Sequence, residues 1–125
     1  MVMIFHKDAA ISFLRMLEAN DVLGAYDKYI ASGFRHHNPY FRGDAESLKA
    51  GMLDNAAKYP LKSLEILHIF EEGDFVSIHS KAVLKPGDRI FATVHIFRFK
   101  DNKIAELWDM AMEEPENSPN EIGMF

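Results

Sequence analysis

The sequence predicts an α+β fold: three N-terminal helices packed on a strongly curved antiparallel sheet, closed into a half-open cone with an interior pocket. Two observations carry this. Apolar residues recur at helical spacing as far as Tyr59, and from Leu61 the pattern changes to long strand-like segments. Those segments are separated by Gly73-Asp74, Pro86-Gly87-Asp88 and Asp101-Asn102, residues suited to tight turns between antiparallel strands.

Taken in order, Asp8 is expected to cap a first helix running to about Ala19, with Ala10, Ile11, Leu14 and Leu17 as its apolar stripe. Asn20-Asp21 interrupts it and caps a second helix, Val22 to Ile30, with Val22, Leu23, Tyr26 and Ile30 on one side; Ser32-Gly33 ends it. Phe34 to Pro39 is a bridge or a short strand, and Pro39 drives Asn38 toward extended geometry. Asp44 caps a third helix carrying Leu48, Met52, Ala56 and Tyr59, and Pro60 stops it. Leu61–Glu72, Phe75–Lys85, Arg89–Lys100 and Lys103–Met112 then read as a four-stranded antiparallel meander. Strands this long twist and curl, and the helices close the concave side.

Residues 1–112 are expected to form one domain. Glu113 to Phe125, acidic and holding Pro115 and Pro119, is a tail without regular structure whose apolar end, Ile122-Gly123-Met124-Phe125, should dock.

Composition narrows the function. A chain of 125 residues with 48% apolar and 26% charged residues is long enough to bury a core. Its net charge of −5 offers no basic surface for nucleic acid or an anionic membrane. The absence of cysteine excludes disulfides, thiol nucleophiles and cysteine-ligated metals. Met1–Phe5 is apolar but stops at His6-Lys7-Asp8, too short for a secretory signal core, and no run approaches a membrane span. A cytoplasmic protein is expected.

The chemistry is expected to centre on Trp108-Asp109 in the last strand. Alternation places Asp109 with Ala105, Leu107 and Ala111, and Trp108 on the other face with Ile104, Glu106 and Met110. A carboxylate on an apolar face needs a hydrogen-bond partner, which describes an acid/base group and an edge-of-core aspartate equally well. On the third long strand, Phe91, Thr93, His95, Phe97 and Phe99 should face inward; by the same parity Phe75, His79 and Val83 do so on the strand before, although Lys81 falls in that row. His79, His95 and Asp109 would then share the cavity, with His37 arriving from the bridge before the third helix. His36 and His37 are adjacent and point apart, and no paired-histidine metal spacing occurs; His79, His95 and Asp109 meeting as a facial triad is the remaining metal reading. There is no phosphate loop, nucleophile elbow or dinucleotide fingerprint. Neither a metal nor a cofactor is expected.

Four motifs in order carry a resemblance: His37-Asn38-Pro39 with Gly43 following, Glu72-Gly73-Asp74-Phe75-Val76 leading into Ile78-His79-Ser80, Ile96-Phe97-Arg98-Phe99, and Glu106-Leu107-Trp108-Asp109. Over about residues 5 to 112 the chain resembles the SnoaL-like polyketide cyclase family of the nuclear transport factor 2-like superfamily. The resemblance implies the same curved sheet with three helices and a cofactor-free aldol-type cyclisation. It implies Asp109 as acid/base, with His79 and His37 stabilising an enolate, and His95, Asn38, Phe75, Phe97 and Tyr26 are the positions expected to contact the ligand. Many members have His, Asp and Gln where Leu107, His95 and Met112 stand here, so Asp109 has a different set of polar neighbours. The ligand expected is a small apolar molecule with a carbonyl or hydroxyl, handled by an acid/base enzyme of cyclase, isomerase or dehydratase type or held by a non-catalytic binding protein. Trp108, Ile104 and Met110 on the outer face predict a homodimer through the sheet.

Overall fold

A computed structural model describes residues 5–125; the segment Met1 to Ile4, part of the apolar start expected not to serve as a secretory signal, lies outside the described residues. The chain runs α1 (His6–Glu18), α2 (Val22–Tyr29), β1 (Ile30–His36), α3 (Ala45–Lys58), β2 (Ser63–Glu72), β3 (Phe75–Val83), β4 (Ile90–Lys100) and β5 (Lys103–Glu113). Helix α1 begins earlier than expected: Phe5 is its N-cap, without a side-chain bond, and Asp8 sits inside the first turn, where its charge meets free N–H groups. Asn20 takes a left-handed φ of 67°, turning the chain so that Asp21 caps α2 by accepting the Gly24 N–H at 3.1 Å. Asp44 caps α3 as expected, accepting the Ser47 N–H at 2.9 Å.

The expected four-stranded meander is present, but it carries a fifth strand. Helix α2 stops at Tyr29 and the chain passes at once into β1, which lies parallel to β5; the strand order is β1-β5-β4-β3-β2, a mixed sheet. Phe34 and His36 give β1 its buried face, and Gly33 (φ 79°) supplies the irregularity that lets a short strand follow a helix without a loop. The β4–β5 hairpin turns on Asp101 (φ 51°) and Asn102 (φ 62°), two left-handed residues whose turn matches the right-handed twist of the strands.

Two bulges set which side chains face the helices. One at Leu67 lets Leu64, Ile66 and Ile69 all pack against the core. The other, at Ala105, resets the parity of β5, so that Ile104 and Leu107 are both buried. Ile104 therefore belongs to the core and not to the outer face with Trp108, a correction to simple alternation. On β3 the inward residues are Val76, Ile78 and Ser80, so Phe75 and His79 face outward, against expectation. Lys81 lies in the outward row, and burying it would leave an ammonium in the core. The core joins both layers around Phe13, whose ring lies 5.9 Å from Tyr26, 6.4 Å from Tyr29 and 6.0 Å from Phe97. Among the described residues no helix is long and apolar enough to cross a membrane.

Candidate functional site

The concave face of the sheet is read across β3, β4 and β5 in rows. Val76, Phe97 and Leu107 form an apolar row, Ile78, His95 and Asp109 the next, and Ser80, Thr93 and Ala111 the one after. His95 and Asp109 are direct cross-strand neighbours, with Nε2 3.5 Å from Oδ1 and side chains only 14% and 13% exposed. Burial pushes the His95 imidazole below its ordinary value of 6.5, and the Asp109 charge pulls the other way. Its Nδ1 has no partner among the described residues.

Asp109 is held from the other side by Asn38, whose Nδ2 donates to Oδ2 at 2.9 Å. Asn38 is itself fixed: its Oδ1 accepts the Tyr40 N–H at 3.0 Å, so the amide must turn its NH2 to the carboxylate. The loop carrying it is stapled by His36. That ring accepts the Asn38 N–H at Nδ1 (3.1 Å) and donates from Nε2 to the Arg42 carbonyl (2.5 Å), while the His37 N–H reaches the Leu107 carbonyl at 2.9 Å. Pairing of β1 with β5 is thus what delivers Asn38 to Asp109.

A cavity of about 300 Å³ opens between α1, α3 and the sheet, at the lower end of the range for small-molecule sites. Leu14, Leu17, Met52, Leu64 and Val83 give it apolar walls, with His95, Thr93, Asn38 and Asn55 as polar points. Tyr26 is buried with its hydroxyl unpartnered, and burial, then the charges of Asp109 and Glu46, raise its pKa far above the ordinary 10.0.

Of the residues expected to converge, the structure brings together Asp109, His95 and Asn38, with Tyr26 within the field of Asp109; His95 and Asn38 line the cavity, whereas Asp109 and Tyr26 do not. Phe97 is wholly buried behind His95, their rings 6.1 Å apart, and does not line the cavity. His37, His79 and Phe75 lie on the opposite face of the sheet. His37 stacks on Trp108 at 4.9 Å and bonds Glu106 Oε2 at 2.6 Å; His79 meets His68, Nδ1 to Nδ1, at 2.9 Å; Phe75 packs on Trp108 at 6.3 Å. The facial triad does not assemble, because His79 points away from His95, and among the described residues no three potential metal ligands cluster.

The outer face holds a constellation that alternation did not single out. Glu106, its side chain 5% exposed, is bonded by His37, by Arg35 (3.0 Å) and by Arg98 (3.1 Å). The His37 bond, then Arg35 and Arg98, hold its carboxyl down at about 2. Counting back from the Asp101-Asn102 turn pairs Arg98 with Ala105, and the bulge at Ala105 moves it beside Glu106, so the turn is only an approximate sequence signal for it. Asn55 and Lys62, also on the cavity wall, have no such signal: both depend on how α3 and the segment after it fold over the sheet.

No curated protein matches the chain. Among solved structures it is similar to AclR of Streptomyces galilaeus, described as a candidate hydroxylase, at 19% identity and a TM-score of 0.72, covering 85% of this chain and 77% of that one. It is equally similar to a cystatin-fold protein from Novosphingobium aromaticivorans (19% identity, TM-score 0.72, 86% and 99% covered). IdmH of Streptomyces antibioticus, described as a candidate polyketide cyclase, aligns at 21% identity and a TM-score of 0.67, covering 85% and 91%. At these identities the structures speak to fold, and they place this sheet and its helices among nuclear transport factor 2-like and cystatin folds. The family model described as the SnoaL-like domain matches residues 10–107, and the chain belongs to that family.

Proposed function

We propose that the protein is a cofactor-independent acid/base enzyme acting on an apolar carbonyl compound in the 300 Å³ cavity, by proton transfer of the aldol, isomerase or dehydratase kind. The observation that carries this is the buried His95–Asp109 pair, of which His95 lines the cavity wall. A neutral imidazole beside a carboxylate has a net charge of −1 and can take up one proton without leaving an isolated buried cation. The proton α to the substrate carbonyl passes to the pair, and the pair returns it to the developing alkoxide or to the isomerised carbon. Asn38 keeps Asp109 aimed at His95, and the Thr93 hydroxyl, two residues along the same strand face, would turn from its long 3.5 Å bond to the Ser80 carbonyl to donate to the enolate oxygen. The apolar walls exclude water and strengthen each of these interactions. The neighbours described as candidate cyclase and hydroxylase support a small-molecule reading of the site. The lack of cysteine fits a cytoplasmic protein.

The test needs only proton abstraction. With 2-tetralone in D2O, wash-in of deuterium beside the carbonyl, followed by NMR, should be faster with protein than without. His95→Gln and Asp109→Asn should each lower the protein-dependent rate by about a hundred-fold, the usual share of a general base, while melting stays cooperative. No acceleration by the wild type across a panel of apolar ketones, or wild-type rates in both variants, would leave a binding protein.

A further inference from the structure

Three titratable side chains line the cavity: His95, Glu18 and Lys62. Both oxygens of Glu18 are already engaged, Oε1 by Arg15 Nη1 at 2.9 Å and Oε2 by the Leu64 N–H at 2.6 Å. Lys62 is different. Its Nζ donates once, to Asn20 Oδ1, and among the described residues it forms no ion pair. Asn20 is in turn fixed by its left-handed backbone and by donating Nδ2 to the Pro60 carbonyl at 3.0 Å, so the ammonium is held in place.

Lys62 is partly removed from water with no direct ion pair; burial lowers its pKa, and the charge of Glu18, already bonded by Arg15 and the Leu64 N–H, offsets this only in part. A staple to Asn20 would use one N–H; two more remain. The Asn55 amide lines the same cavity, with no side-chain hydrogen bond among the described residues. The apolar lining runs between this cation and the His95–Asp109 pair. Val83, opposite Ser63, and Ile78, opposite His95, are separated along β3 by roughly 16 Å at the usual strand rise, less the reach of the lysine stem.

We propose that the ligand is an elongated amphipathic acid, whose carboxylate is received by Lys62 while its apolar body lies along the cavity toward His95. That a reactive carbonyl stands at the His95 end rests on the function proposed above; the preference for a carboxylate does not. A carboxylate supplies the missing direct ion pair and fixes the register of the body, a task the apolar walls cannot perform alone.

Calorimetric titration with 6-phenylhexanoate and 6-phenylhexan-1-ol, a pair matched in shape, tests this. The acid should bind the wild type about ten-fold tighter or more, a difference of about 1.4 kcal/mol. The preference should shrink as salt is raised. Lys62→Met should bring the acid to the affinity of the alcohol, and His95→Gln should keep the preference. Equal binding of the two probes by the wild type, no saturable binding of the acid, or a preference that survives in Lys62→Met overturns the proposal. The wild-type comparison stands even if Lys62→Met folds poorly. Acid preference without deuterium wash-in would sink the enzymatic reading and leave this one; wash-in without acid preference would do the reverse.

Discussion

His95 and Glu106 show how the two faces of one sheet assign opposite work to ionisable groups. On the concave face the charged form of His95 is disfavoured by burial, and on the convex face the charged form of Glu106 is favoured by His37, Arg35 and Arg98. Both make the fold sensitive to acid. The folded pKa of His95 lies below 6.5, so as pH falls through that value the unfolded chain takes up a proton that the folded one refuses, and stability drops. Glu106 contributes stability that is full above its ordinary 4.5 and is lost as pH falls toward about 2. A thermal-melt series from pH 8 to pH 2 should therefore decline in two stages. Glu106→Gln should flatten the second and lower stability at pH 7 by about 1–3 kcal/mol, since three donors lose a charged acceptor. An unchanged acid limb in that variant would show that the network adds nothing to folding.

At the scale of elements, the cavity depends on how closely α3 approaches the β1–α3 loop. Gly51 is the contact point: a Cβ there would stand 2.4 Å from Phe41 Cε1, and Phe41 is part of the cavity wall. Gly51→Ala should gain up to about 1 kcal/mol of helix stability from propensity, because the obstructing atom is the end of a side chain that can swing away. The same swing should weaken phenylhexanoate binding several-fold by opening the wall. A higher melting temperature with unchanged affinity would mean that Phe41 does not shape the site. Helices α2 and α3 were legible to within a residue from Asp21, Asp44 and the apolar spacing, because a cap and a stripe are local features. The facing of β3 and β5 was not, because bulges and the choice of buried row are settled by packing against other strands.

For the whole molecule, the convex face poses the question of assembly. Phe70, Phe75, Met110 and Met112 are exposed there, and Trp108 is only half-buried. The tail partly covers this face: the Phe125 ring stacks on His79 at 6.4 Å and lies 5.5 Å from Lys81 Nζ, whereas Ile122 stays 81% exposed and is not docked as expected. Contiguous apolar surface of this kind marks an interface, and we propose a two-fold homodimer that pairs these faces. Sedimentation velocity at micromolar concentration should give a dimer, and Met110→Glu, which places a charge at the centre of the patch, should give a folded monomer. A wild-type monomer would end the idea.

What the sequence determined by itself is what adjacent residues decide: the helices, the hairpin turns, the four long strands, the motifs that mark the family, and the candidacy of Asp109, His95 and Asn38. Tertiary structure alone decided that β1 joins the sheet beside β5, and so brings Asn38 to Asp109. It alone sent His37 and His79 to the convex face, and set Lys62 on the cavity wall. The reason is physical. A turn or a cap is fixed by a few neighbouring dihedrals and hydrogen bonds, whereas the face a strand buries depends on which apolar row its distant partners can cover and which charge would be stranded by the alternative.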